Sequence, residues 1–353
     1  MVRARSWRTI WIGITVLLAG SAFCSACSAG GGSSGKPHVT ALKVAVPVEE
    51  PVWDRDKGVL LALAQDESRI AKIDPQTGKT ELSGAFEDAG ENLALSTGAE
   101  NHVYLPQPKL GRIASVDVES LREAKTFKAG PSPTWVATDV GSDILFALSE
   151  DGSTVTGVDL ESFEVVLPPV DEVEAGKQAE LEGPERGLAP DFFVAGPRGI
   201  ALYEGHTTPM EKVDYIDIPA GTVAGDLVKV SRVYVGEEGT DRLLAVDLNP
   251  KNERLTVSAK KSLGEPVEYI GADEKRAYAA TEDKLVVLKT ENFEGFDNRR
   301  FEVVDTINFR RPLKREALKD APLSGLAVGP TSKEVYLTLK GVPYVLSIDK
   351  PDY

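Results

Sequence analysis

Apolar and polar positions alternate along most of this chain, in runs too short and too often interrupted to be helices. Four stretches share one pattern: LALSTGAENHVYL (93–105), WVATDVGSDILFAL (135–148), YIGADEKRAYAA (269–280) and LAVGPTSKEVYLTL (326–339). Each reads as a short alternating strand, a polar turn with Gly, Asp or Asn, and a second strand centred on Tyr or Phe, the pattern of a β-hairpin. A second pattern is a short apolar strand closing on an acid. Its copies are RIAKID to Asp74, RIASVD to Asp117, TVTGVD to Asp159, KVDYID to Asp217, RLLAVD to Asp247 and YVLSID to Asp349, with Lys289 in the acid's place in KLVVLK.

The closing positions are 43, 42, 58, 30, 42 and 60 residues apart, and the outlying 58 and 30 average 44. A period near 43 with three or four strands per copy predicts four-stranded antiparallel blades, and a ring of such blades is an all-β propeller. Seven blades are expected, with six or eight left open by the compressed fourth spacing. The final 60 and the earlier 58 predict insertions at Asn298–Asp320 and Pro168–Pro190. The last copy supplies only three strands (LSGLAVG, EVYLTL, VPYVLSID), whereas His38–Val48 stands alone before the first; it is expected to complete the last blade and close the ring. With 32 Gly and 22 Pro breaking the chain, the one short helix expected is in KREALKDA (314–321).

The stretch ILFALSEDGSTVTGVDLESFEVV (144–166) resembles the repeat of YVTN-type, WD40-like seven-bladed propellers. In that repeat a Tyr-containing strand leads through a polar turn to a strand ending in Asp, then a Thr or Ser turn. The resemblance is close in copies two, three and seven; copies four and five depart from it.

The N-terminus has a different character. Arg3, Arg5 and Arg8 precede an uncharged apolar run from Thr9 to Phe23, the pattern of a secretory signal. The run is shorter than the roughly 20 apolar residues a spanning helix needs. Its end resembles the lipobox of bacterial lipoproteins, in which small residues precede a cysteine that is diacylated before cleavage. Ser25 and Ala26 precede Cys27, whereas bulky Phe23 precedes Cys24, so lipidation is expected at Cys27. An ordinary signal cleaved near Ala22 or Ala26 is the alternative. SAGGGSSGK (28–36) cannot bury apolar surface and reads as a flexible tether. The expected organisation is a signal peptide at 1–26, a tether at 27–37 and a single propeller domain at 38–353.

Charge and composition narrow the function. The formal charge is −15, and about −18 once the leader arginines are gone, which disfavours nucleic acid. Beyond Cys27 the chain has no cysteine, hence no disulfide within the body. His38, His102 and His206 have no ligand spacing, and DGSTVTGVD (151–159) reads as a hairpin turn and not a calcium loop. G-x-S-x-G and phosphate-loop motifs are absent. No cofactor or bound metal is expected. The repeated closing Asp is expected to accept backbone N–H groups in the turn after it. Trp53 (in PVWDRDKG), Trp135 (in PTWVATD) and His206 (in GHTTPM) are the candidate ligand contacts. The composite expectation is a lipid-anchored, extracytoplasmic bacterial propeller, monomeric, that binds a protein, a cell-wall component or a small solute. A lactonase-like hydrolase and a metal-handling accessory of a transporter are the alternatives.

Overall fold

The computed structural model describes residues 38–96, 101–139, 141–171, 176, 179–182, 191–205, 210–229, 231–290 and 296–351; Cys24, Cys27 and His206 lie outside them. The described chain forms seven four-stranded antiparallel sheets, each an independent blade. Blade one comprises Val48–Asp54, Val59–Ala64, Ile70–Ile73 and Thr80–Leu82. Blade two comprises Ala94–Leu95, His102–Gln107, Arg112–Asp117 and Glu123–Lys128. Blade three is built from Pro133–Asp139, Ile144–Ser149, Thr154–Asp159 and Val165–Asp171. Blade four takes Glu180–Glu182, Asp191–Gly196, Gly199–Glu204 and Glu211–Ile216. Blade five has Ala220–Gly225, Arg232–Glu237, Arg242–Asn249 and Arg254–Ser262. Blade six has Tyr269–Ala272, Arg276–Ala280, Lys284–Lys289 and Val303–Asn308. Blade seven joins Leu323–Val328, Glu334–Leu339 and Tyr344–Asp349 to the first strand of the chain, Val39–Lys43.

The first strand of each blade touches the first strand of both neighbours, so these seven strands line a central channel. Seven apolar clusters fill the seams, one per pair of adjacent blades. The second strands drive this packing: Tyr104, Phe146, Tyr234, Tyr278 and Tyr336 occupy one repeated position and are at most 1% exposed. Burying a side chain of that size contributes roughly 1.5–3 kcal/mol. An Asp ending the first strand holds the following turn in several blades. Asp54 accepts the N–H groups of Asp56 and Lys57, and Asp226 those of Val228 and Lys229. Asp273 likewise accepts from Lys275 and Arg276 and takes a 2.7 Å hydrogen bond from the Tyr278 hydroxyl.

The closing acids of the third strands cap as the sequence suggests. Asp74 accepts from Gln76 and Thr77, Asp117 from Ser120, and Asp159 from Ser162. Asp247 instead forms ion pairs with Arg232 (2.7 Å) and Lys229 (2.5 Å). The Arg232 guanidinium is fully buried, with Phe296 across its face at 4.5 Å.

Ring closure follows the expected overlap. Val39 pairs with Ile348, Ala41 with Leu346 and Lys43 with Tyr344. His38 N donates to Asp349 Oδ2 at 3.2 Å and Asp349 N to the His38 carbonyl at 3.0 Å. Lys350 reaches Asp273 of blade six at 2.9 Å. The expected helix is the single turn Glu316–Lys319.

Four expectations are corrected. KVDYID lies in the outermost strand of blade four, and the third strand there is Gly199–Glu204, closing on Glu204. Glu204 restores the period, 45 residues after Asp159 and 43 before Asp247. Pro168–Pro190 is not simply an insertion: it holds the end of blade three's outer strand and the first strand of blade four. Asn298–Asp320 likewise contains the outer strand of blade six. His38–Val48 is two strands, because the chain must cross from the outer edge of blade seven to the channel edge of blade one, and it turns at Val44–Pro47 to do so.

Candidate functional site

All seven blades contribute to the channel. Its wider mouth is a cavity of about 650 Å³ walled by Val52, Trp53, Arg55, Asp56, Leu95, His102, Thr138, Glu182, Leu227, Ile270, Glu274 and Leu326, among others. These residues lie at the ends of the first strands and in the turns that follow. Trp53 stacks on Tyr336 of blade seven, centroids 5.4 Å apart and planes 11° from parallel. Its Nε1 is buried without a hydrogen-bond acceptor, and Gly329 leaves the room it occupies, since a Cβ there would stand 2.6 Å from that nitrogen. Trp53 is therefore held as a wall, while Arg55 and Asp56 are exposed at the rim.

The opposite mouth is narrower, a cavity of about 320 Å³ lined by Glu91, Trp135, Ala179, Glu180, Pro197, Ala220, Gly221 and Glu238. Trp135 Nε1 donates to the Leu181 carbonyl at 3.1 Å, fixing the indole of blade three against blade four. Glu180 accepts the Val223 N–H of blade five at 3.0 Å. On the other side Asn92 holds Val136 through two 2.8 Å hydrogen bonds, and Glu91 N donates to the Thr134 carbonyl at 2.9 Å. The mouth is thus braced across blades two to five.

The narrow-mouth end of the channel is acidic. Burial raises the Glu180 carboxyl to about 7, the Val223 hydrogen bond opposing the rise and Glu91 adding to it. Glu50 sits at φ 45° where the pairing of the first and second strands of blade one shifts register. Burial, then the neighbouring charges of Glu180, Glu49, Glu91 and Glu182, push it well above the usual carboxylate range. Glu91, Glu49 and Glu268 are raised as well, each chiefly by burial. Tyr269 is raised by burial and then by Glu50 and Glu180. Lys340 acts on Glu49, and Arg310 on Glu268, in the opposite sense.

The structure therefore puts Trp53 and Trp135 at opposite mouths and does not bring them together; His206 lies outside the described residues. His102 lines the wide mouth and His38 the closing seam. Asp151 accepts from Ser149 and Ser153 within its own turn. Among the described residues no group of three or more His, Cys, Asp or Glu is arranged to hold a metal ion. The channel glutamates were missed because acids are common in this chain. A repeat signal was present, since blades one, two, four and six each carry a Glu at or just before the first strand: Glu49 and Glu50, Glu91, Glu180 and Glu268.

No family model matches the sequence, and no curated protein matches it. Solved structures do share the fold. The WD40 repeats of RRP9 superpose with a TM-score of 0.69 at 10% identity, covering 88% of this chain and 97% of that one. U3-55K gives 0.68 at 11% identity, covering 88% and 98%. Virginiamycin B lyase from Staphylococcus aureus gives 0.63 at 8% identity, covering 90% and 100%. At these identities the likeness is one of fold: a seven-bladed β-propeller with WD40-like structural neighbours.

Proposed function

We propose that this chain is a binding module held on the outer face of a bacterial cell membrane by a diacylglyceryl group on Cys27, with the propeller presented beyond the Gly/Ser tether. A rigid ring with WD40-like neighbours fits a binding or scaffold role. The observation that carries the reading is the wide axial mouth, to which every blade contributes and where Arg55 and Asp56 are exposed beside the fixed indole of Trp53. Such a concave, mixed polar and apolar surface at the meeting of many elements is where ligands bind in most folds. The tether rests on the small residues before Cys27 and the Gly/Ser-rich composition of 28–36. Two acyl chains suffice for stable attachment where a single chain does not.

A photo-crosslinking side chain at Arg55, compared with one at exposed Glu81 on the outer strand of blade one, tests the binding role on intact cells. Discrete crosslinked species from position 55 and none from position 81 are expected. Equal crosslinking from both positions, or none from either, overturns the axial site.

A further inference from the structure

The narrow mouth has a chemistry of its own, which deepens the binding reading and does not depend on the anchor. We infer that it is a receptor for an organic ammonium group, a primary or methylated amine seated against Trp135 with its charge among Glu91, Glu180 and Glu238.

Three observations converge on this. First, the mouth is a formed cavity of about 320 Å³, near the lower bound of ligand pockets and sized for a head group whose remainder stays outside. Second, its wall combines one fixed indole with three carboxylates, and among the described residues no basic side chain lines it. Arg198, next to Pro197, lies along Gly176 and does not line the cavity. An indole beside carboxylates is the chemistry that attracts an alkylammonium, through the ring quadrupole and direct charge. Third, the Glu50 carboxyl, with no hydrogen-bond or ion-pair partner among the described residues, lies within electrostatic reach of Glu180 and Glu91. Glu180 and Glu91 raise the proton affinity of Glu50, and Glu91 that of Glu180, and a bound cation would relieve that repulsion as a proton does.

An organic cation fits better than a metal ion. Calcium or magnesium needs several oxygens converging within about 2.0–2.6 Å of one point. No such group of acids is present among the described residues. A cation of several ångströms with an apolar body matches widely set carboxylates and an aromatic wall. Two sources offer that chemistry: a free amine, or a lysine side chain on a protein partner.

The test uses the full chain labelled with 5-fluorotryptophan. Its four indoles are Trp7, Trp11, Trp53 and Trp135, and Trp135→Phe and Trp53→Phe identify two of the resonances. Butylammonium, butanol, an Ala-Lys-Ala peptide and its norleucine counterpart are titrated by fluorine NMR. Saturable movement of the Trp135 resonance with butylammonium but not butanol, Trp53 staying fixed, is expected. Glu180→Gln, which keeps an acceptor for the Val223 N–H, should weaken the response about tenfold, and Glu161→Gln on the blade-three turn should not change it. Trp135→Leu, followed by calorimetry, should weaken binding about three- to thirtyfold.

A tighter response to the lysine peptide than to butylammonium assigns the group to a protein partner, and the reverse order to a free amine; either supports the inference. Equal responses to butylammonium and butanol, no saturable shift, or Glu180→Gln behaving like Glu161→Gln overturns it. Crosslinking at Arg55 reports the other mouth, so each reading fails separately.

Discussion

Replacing Glu180 by Gln should flatten the dependence of stability on pH. The carboxyl is raised from 4.5 to about 7 in the folded ring. Below pH 4.5 it is protonated in both states and contributes no difference. Between 4.5 and 7 the unfolded chain releases the proton while the folded chain keeps it, so stability falls as pH rises. Above 7 both states are ionised and the loss is complete. A difference of about 2.5 pKa units corresponds to on the order of 3 kcal/mol. Gln is neutral throughout and accepts the Val223 N–H as the acid does. Wild type and variant should therefore be equally stable near pH 4.5, and the variant more stable by on the order of 2–3 kcal/mol at pH 8. Urea unfolding followed by far-ultraviolet circular dichroism at pH 4.5, 6 and 8 measures this directly. Parallel pH dependence in the two proteins, or a variant less stable at pH 8, would refute the reasoning that the channel strains against the Glu180 charge.

Two further substitutions probe the frame around the channel. Arg232→Leu leaves Asp247 and Asp226 buried without their main counter-charge and should cost about 3–5 kcal/mol; adding Asp247→Asn should recover part of that loss, and urea midpoints of the single and double variants decide it. Gly78→Ala should loosen the closing strand by about 1–3 kcal/mol, because Gly78 has φ +72° and a Cβ would stand 2.4 Å from the Lys43 carbonyl oxygen. Gly341→Ala has the same φ but nothing within 4 Å, so faster amide exchange at residues 39–43 should appear in the first variant and not in the second.

The parts of this fold legible in the sequence are those where one physical demand acts on each position. The second strands are packed on both faces, so ILFALS and EVYLTL read as strands at once. The turn acids at Asp74, Asp117 and Asp159 were legible because Asp capping is local. The first strands were harder, since one side meets the channel and not a core: Glu180–Glu182 (ELE) resembles a polar loop although it lines the ring. The same cause hid Glu50 and Glu180 as site residues. The outermost strand of blade four misplaced the fourth closing acid because KVDYID alternates and ends on an acid, while the true third strand, GIALYE, closes on Glu204. Proline also misdirected the reading, since Pro168 and Pro169 lie in an outer strand whose free edge needs no donor. Trp53 and Trp135 stand out by residue type, and the three-dimensional ring places them at different mouths.

The most direct test of the proposed role is the intact mass of the mature protein recovered from membranes of a bacterial host, wild type beside Cys27→Ala. The account predicts a chain beginning at Cys27 and carrying a diacylglyceryl group, with the variant unmodified and released from the membrane fraction. An unmodified wild-type chain free in the medium, or identical masses and fractionation for the two proteins, would contradict it.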